Sequence, residues 1–234
     1  MGKMGYGGVM DRPVIPIVAS PGGLKEGRGK LRLFCPALDG HAPDKAEYLA
    51  LLPVQDSNGR LLAALAGLHE DDLDEACVGV LSVDPFRPPA PFLAALRRAG
   101  VRSVANFPTA CLFDGETGET LGRLGFGLDR EAAFLEHAVR EGFSAIGFAM
   151  DAVVGRRLRE AGAARIVVHP GPATGDVLRD AGAAEAASGA VAALKAQSGG
   201  EVFVHLPAGF GPHRGTLAEH ADAVVLFAGS HESP

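Results

Sequence analysis

Residues able to hold a ligand or move a proton recur in this 234-residue sequence directly after short apolar runs. Asp84 follows Ala76–Val83, with Arg87 three residues on. Asn106 closes Val101–Asn106, with Thr109 just beyond, and Asp114 lies further along. His169 ends Arg165–His169 ahead of Thr174. His205 sits in Glu201–Leu206, before a run carrying Gly209, Gly211 and Gly215. Ser230 follows the last apolar run, Asp222–Ala228. Asp84 can hold a metal ion or act as a general base while Arg87 grips a carboxylate or phosphate. It can equally cap the helix that follows, with Arg87 as a local partner. Asn106 and Thr109 can hydrogen-bond a substrate or simply order the turn before Pro108. His169 and His205 can reach one ligand if their runs lie side by side, or sit at a rim bonded to backbone. N–H groups of Gly209 and Gly211, completed by Ser230, can cradle a phosphate.

These runs need elements to carry them. Ala76–Val83 is continuously apolar, as a strand covered on both faces requires. Further runs occur at Pro13–Ala19, Leu31–Cys35, Val101–Asn106, Phe143–Met150, Arg165–His169, Glu201–Leu206 and Asp222–Ala228. Helical patterns alternate with most of them. Gly59–His69 has leucines at three- and four-residue steps. Pro88–Gly100 has Pro at its start and Gly at its end. Asp129 is placed to cap Arg130–Gly142, and Asp151 to cap Ala152–Ala161. Asp176–Ala196 reads as one or two helices broken near Gly182, and Thr216–His220 as a helical turn. Asp44 and Glu47 have the spacing of a capping box for a short helix through Leu52. The acidic run EDDLDE reads as a solvated loop, and Cys111–Leu128 as a long loop whose glycines permit hinging.

Eight strands alternating with helices predict an α/β fold, a closed (β/α)8 TIM barrel in preference to an open doubly wound sheet. Residues 1–12 form a tail and residues 13–234 a single barrel domain. The first helix is reduced to a turn around Leu24, and the eighth is missing. The outer wall of strands one and eight is then bare, which predicts a homo-oligomer interface unless the tail covers it. In such a barrel the site lies where the strands end. Five of the eight histidines fall there, more than even scattering would place.

Composition excludes several functions. A formal net charge of −6 offers no footprint for nucleic acid or anionic lipid. No apolar run is long enough to span a bilayer, and the first residues lack signal-peptide character, so the expected compartment is the cytoplasm. Cys35, Cys77 and Cys111 are widely spaced, without the CxxC of a zinc knuckle. The first two read as buried reduced thiols. Cys111, in the central loop, can be exposed, yet a lone loop thiol is more often inert than nucleophilic. None of the five lysines ends a central strand, which disfavours a Schiff-base aldolase.

VDPFR (Val83–Arg87), NFPT (Asn106–Thr109), Asp114–Gly115 and GFGLD (Gly125–Asp129) together resemble the phosphoenolpyruvate hydrolase-like family. These TIM-barrel proteins are related to the phosphoenolpyruvate mutase and isocitrate lyase group. SPGGL (Ser20–Leu24), LLPVQDSN (Leu51–Asn58) and VHPGPATG (Val168–Gly175) extend the likeness. It implies a shared pocket at Asp84, Arg87, Asn106, Thr109, Asp114, His169 and Thr174. The chain departs from the family at Gly122 and Arg123, where glutamates are usual, and after His205, where LPA replaces Gly-Gly-Pro.

The expectation is an enzyme that hydrolyses a small phosphorylated or keto carboxylic acid or cleaves its C–C or C–P bond. Asp84, His169 and Asn106 would be catalytic. Arg87, Thr109, Asp114, Thr174, His205, Gly209, Gly211 and Ser230 would bind the anion, with room at Asp84 for a divalent cation such as Mg. The alternative is a catalytically degenerate barrel acting as a ligand-sensing or assembly subunit.

Overall fold

The computed structural model describes residues 12–197 and 200–227. Ser230 and the segment where an eighth helix would fall lie outside them, as does nearly all of the tail. The elements run β1 (Val14–Val18), α1 (Pro21–Glu26), β2 (Arg32–Phe34), α2 (Ala46–Leu51), α3 (Ser57–Leu65), β3 (Ala76–Gly79), α4 (Pro89–Arg98) and β4 (Ser103–Ala105). They continue with α5 (Gly115–Arg123), α6 (Leu128–Arg140), β5 (Ser144–Ala149), α7 (Ala152–Glu160), β6 (Arg165–Val168), α8 (Val177–Gln197), β7 (Val202–His205), α9 (Arg214–Ala218) and β8 (Val224–Phe227). The strands pair in parallel in sequence order, and β8 closes on β1 with Val14 opposite Val224. The chain is a closed (β/α)8 barrel.

Side chains alternate across the barrel wall, as strand geometry demands. Ile15 and Ile17, Leu33 and Cys35, Cys77, Ala105 and Phe107, Ile146 and Phe148, Val167, Phe203, and Val225 and Phe227 fill the interior. Phe34, Val78, Val104, Ala145, Ile166, Val204 and Val224 face outward against Leu61, Leu93, Leu96, Leu135, Leu158 and Leu194 of the helices. Two steps along β6 and β7, the inward register reaches residues 169 and 205. This delivers two histidines to the barrel axis at its C-terminal mouth.

Several local expectations are revised. The first crossover is a true if short helix: Ser20 caps α1, accepting from the Gly23 N–H, and Leu24 is fully buried under it. Arg32, also fully buried, ties that helix down by donating to the Leu24, Lys30, Asp72 and Asp74 carbonyls. The EDDLDE run is exposed at four of its six residues, but Glu70–Leu73 form a 3-10 turn in which Leu73 is buried and buried Asp72 pairs with Arg28 and Lys25. The segment Cys111–Leu128 contains α5, so half of it is helix rather than loop. Helix α6 starts two residues early, at Leu128 after Gly127, with Asp129 inside its first turn. Helix α8 runs unbroken through Gly182. Among the described residues, no helix is long and apolar enough to cross a membrane.

Candidate active site

The mouth of the barrel is organised by a residue that the sequence reading assigned to a helix cap. Lys45, not Asp44, occupies the N-cap of α2, and the Glu47 side chain turns inward. Its Oε2 lies 2.7 Å from Nε2 of His169 and its Oε1 lies 2.7 Å from Nε2 of His205. All three side chains are buried. Nδ1 of His169 accepts from the Gly171 N–H at 2.9 Å, so the His169 proton sits on Nε2 and is donated to Glu47. Nδ1 of His205 lies 3.0 Å from the Val225 carbonyl, which can only accept, so Nδ1 is the donor of that bond. Burial pushes the Glu47 carboxyl up, but the two imidazoles, His205 first, outweigh burial and hold it well below the usual carboxylate range. Burial also lowers His169, against the pull of Glu47. Phe107 and Phe148 present their rings edge-on to His205, at 6.0 and 6.3 Å between centroids, and form the floor.

Glu47 and His169 border an opening of about 40 Å³, little more than the roughly 30 Å³ a water occupies in the liquid. Asp44, Glu47, Tyr48, Leu112, Ala173 and Pro207 are among its lining residues, and no Lys or Arg is. Burial, then the Glu47 and Asp114 carboxylates, raise the Tyr48 phenol.

Asn106 and Thr109 meet a second buried acid that the sequence reading also missed. Glu131, on α6, accepts from Asn106 Nδ2 (2.9 Å) and Thr109 Oγ1 (2.8 Å) on one oxygen. Its other oxygen accepts from Ser82 Oγ (3.2 Å) and the Ala110 N–H (2.9 Å). The remaining polar atoms of Asn106 pair with the Phe148 backbone, the carbonyl as acceptor and the N–H as donor. Asn106 therefore stitches β4 to β5 and holds the turn after β4, rather than facing a ligand. Both acids had a sequence signature. Glu47 shares a helical stripe with Ala50 and Leu51. Glu131 stands one turn ahead of Phe134, Leu135 and Ala138 on their buried face.

Asp84 and Arg87 are brought together, but as parts of a closed ion cluster. Arg87 makes a bidentate bond to Asp56 at 2.7 and 2.6 Å and a third contact to Asp84 Oδ2 at 3.1 Å. Asp84 also accepts from Asn58 Nδ2 at 3.0 Å and the Phe86 N–H at 2.8 Å. Arg87, matched by two carboxylates, has no free charge for an anion. Asp84, with both oxygens occupied and a guanidinium beside it, does not fit the cation expected there. The cluster lines a cavity of about 690 Å³ together with Leu51, Leu81, Val83, Phe86, Phe113 and Phe126, and neither histidine borders it.

The other expected anion ligands do not converge. Thr174 and the Gly175 N–H bind Asp180 at the start of α8. Asp114 is the exposed N-cap position of α5. Gly209 has φ +97, and a Cβ there would fall 2.6 Å from Ala173, so this glycine lets the loops after β6 and β7 touch. Gly211 opens a short 3-10 turn. Cys111 is half-buried, with its Sγ 3.7 Å from Glu131.

Glu47, His169 and His205 each offer one ligand atom, all within 4.8 Å of one another, a set that could hold a metal ion. Two imidazoles and one carboxylate are poor ligands for Mg, which prefers six oxygens. Neither this cluster nor Asp84 suits the expected Mg.

The sequence model of the phosphoenolpyruvate hydrolase-like family matches residues 44–204. The chain belongs to that family. The protein y4oT of Sinorhizobium fredii is 36% identical over 150 residues, covering 60% of this chain and 75% of y4oT. The tomato (Solanum lycopersicum) ToMV resistance protein Tm-1 is 35% identical over 132 residues, or 56% of this chain, which spans only 17% of Tm-1. Among solved structures, a protein described as a phosphonomutase from Burkholderia cenocepacia superposes with a TM-score of 0.55. The match has 15% identity and covers 94% of this chain and 86% of that one. A protein described as a lyase/mutase from the same organism gives 0.50 at 14% identity, covering 94% and 78%. These two likenesses establish the barrel fold.

Proposed function

We propose that the chain is an enzyme acting on a small keto or phosphorylated carboxylic acid, by hydrolysis or C–C or C–P cleavage, at the C-terminal mouth of its barrel. Family membership and fold support action on a small acid. The observation that carries the reading is the convergence of Glu47, His169 and His205 on the barrel axis. In this reading they polarise a carbonyl or phosphoryl oxygen of the substrate in a dry site, where such interactions gain strength. Asn106, Thr109 and Glu131 are positioning residues for the neighbouring loop, and Asp84 and Arg87 hold the rim. The loops carrying Pro43, Pro172 and Pro207 must part to admit a substrate, because the opening is only about 40 Å³.

The test is release of pyruvate from phosphoenolpyruvate, phosphonopyruvate and oxaloacetate. His205→Gln should cut turnover by about 10²–10³-fold with the circular dichroism of the fold intact. Absence of turnover on every such acid removes this reading. The engagement of Arg87 by Asp56 and Asp84 favours the second reading, a ligand-sensing or assembly subunit. In that case these acids would raise the melting temperature without being consumed.

A further inference from the structure

We propose that Glu47, His169 and His205 bind one divalent transition ion of the zinc class. The inference rests on the reading of these residues as the reactive centre and specifies what that centre holds. Two imidazoles and a carboxylate are the donor set that zinc and its neighbours take in catalytic sites, three protein ligands with a position left open. The three donors come from three separate places, helix α2, the position just after β6 and the last residue of β7, and are buried together at the barrel mouth. The outer nitrogen of His205 is fixed by the Val225 carbonyl at 3.0 Å, which aims Nε2 at the centre, as an orienting bond does in metal sites. The opening of about 40 Å³ borders Glu47 and His169 and has room for a water as a further ligand.

Charge supplies an independent argument. A small acid needs a positive charge at the mouth, yet no Lys or Arg lines the opening, and Asp44 and Glu47 do. Arg87 is already engaged by two carboxylates. A divalent ion on Glu47 and two neutral imidazoles carries a net charge of +1, which offsets the Asp44 carboxylate at the opening. The 2.7 Å contacts are the proton-filled form of the site. Bonds of about 2.0–2.2 Å to one tetrahedral centre set donors roughly 3.3 Å apart, so ion entry displaces the Nε2 protons and opens the contacts by roughly half an ångström. His169 then carries its proton on Nδ1 and gives up the bond from the Gly171 N–H, a concession made at a glycine of φ +87.

The full chain, stripped with chelator, is titrated calorimetrically with Zn²⁺ and with Mg²⁺. One Zn²⁺ per chain with a dissociation constant below about 1 μM is expected, with no Mg²⁺ binding in the same range. Glu47→Gln and His205→Gln should each weaken Zn²⁺ by about 100-fold or more, while His220→Gln, at an exposed position, leaves it unchanged. If the buried variants fail to fold, anomalous scattering at the zinc edge from crystals of the unaltered chain decides instead. The peak must lie between the three side chains. No saturable Zn²⁺ site, a site retained in the folded variants, or a peak elsewhere overturns the proposal. Loss of the ion site leaves the turnover assay standing. A Zn²⁺-loaded chain that turns over no small acid removes the functional reading and not the ion site.

Discussion

A carboxylate buried on an apolar helix stripe must be matched by donors, and this chain has two such acids with different partners. Glu47 meets two imidazoles, whereas Glu131 meets a side-chain amide, two hydroxyls and a backbone N–H. Burial pushes Glu131 above its ordinary value of 4.5, with the bonds from Ala110, Thr109, Asn106 and Ser82 opposing it. A carboxyl whose folded pKa is raised binds its proton more tightly when folded. Its contribution to stability is therefore greatest at low pH and falls as pH climbs from the unfolded value to the raised folded one. Urea unfolding of wild type against Glu131→Gln should show wild type losing ground from about pH 4.5 upward, then a flat difference. Glu131→Ala, which orphans four buried donors, should cost about 3–5 kcal/mol at neutral pH. Burial also decides the thiols. It pushes Cys35, Cys77 and Cys111 up to about 12, with Glu131 adding to the effect at Cys111. Iodoacetamide at pH 8 should leave the native chain unmodified and label all three cysteines after denaturation. Rapid labelling of native Cys111 would contradict the burial that the structure gives it.

At the scale of elements, the strands were legible because continuous apolar runs with polar ends leave few alternatives in a parallel sheet. The helices that set the site were less so. Asp44 and Glu47 have capping-box spacing, and only the fold shows that Glu47 is aimed at residues 122 and 158 positions away. Helix α5 was hidden by its glycines at 115, 118 and 122, which lower helix propensity without forbidding a helix. Arg87 looked free because Asp56, its stronger partner, lies 31 residues earlier in another loop. The short α1 survives because Arg32 supplies what its six residues cannot, a guanidinium bonded to four carbonyls from α1 and the loops before β2 and β3. Arg32→Met keeps much of the volume and removes every donor. It should cost about 3–5 kcal/mol in urea unfolding, far more than a surface arginine is worth. A loss below about 1 kcal/mol would mean that α1 stands without this anchor.

At the scale of the molecule, the count of eight alternating units sufficed for the closed barrel, because parallel strands with crossovers close when the eighth returns to the first. What the count cannot say is how the wall at that closure is covered. Val224 on β8 is buried under the helices, whereas Val14 on β1 is 55% exposed, and Pro16, Val18 and Leu226 beside it are half-buried. An outward valine at the join of first and last strands gains by burial against a second copy of the chain, each partner offering the same patch about a twofold axis. A stable interface takes about 800 Å² from each partner, so this wall would be its centre and not its whole extent. Sedimentation equilibrium of the full chain should then give a dimer, and Val14→Asp, at an exposed position, should give a folded monomer. The carboxylate would be desolvated only in the dimer, so the substitution weakens association while leaving the barrel intact. A wild-type chain that sediments as a monomer, or a dimer indifferent to Val14→Asp, places the contact elsewhere and leaves the exposed valine as one of the scattered apolar residues every soluble surface carries.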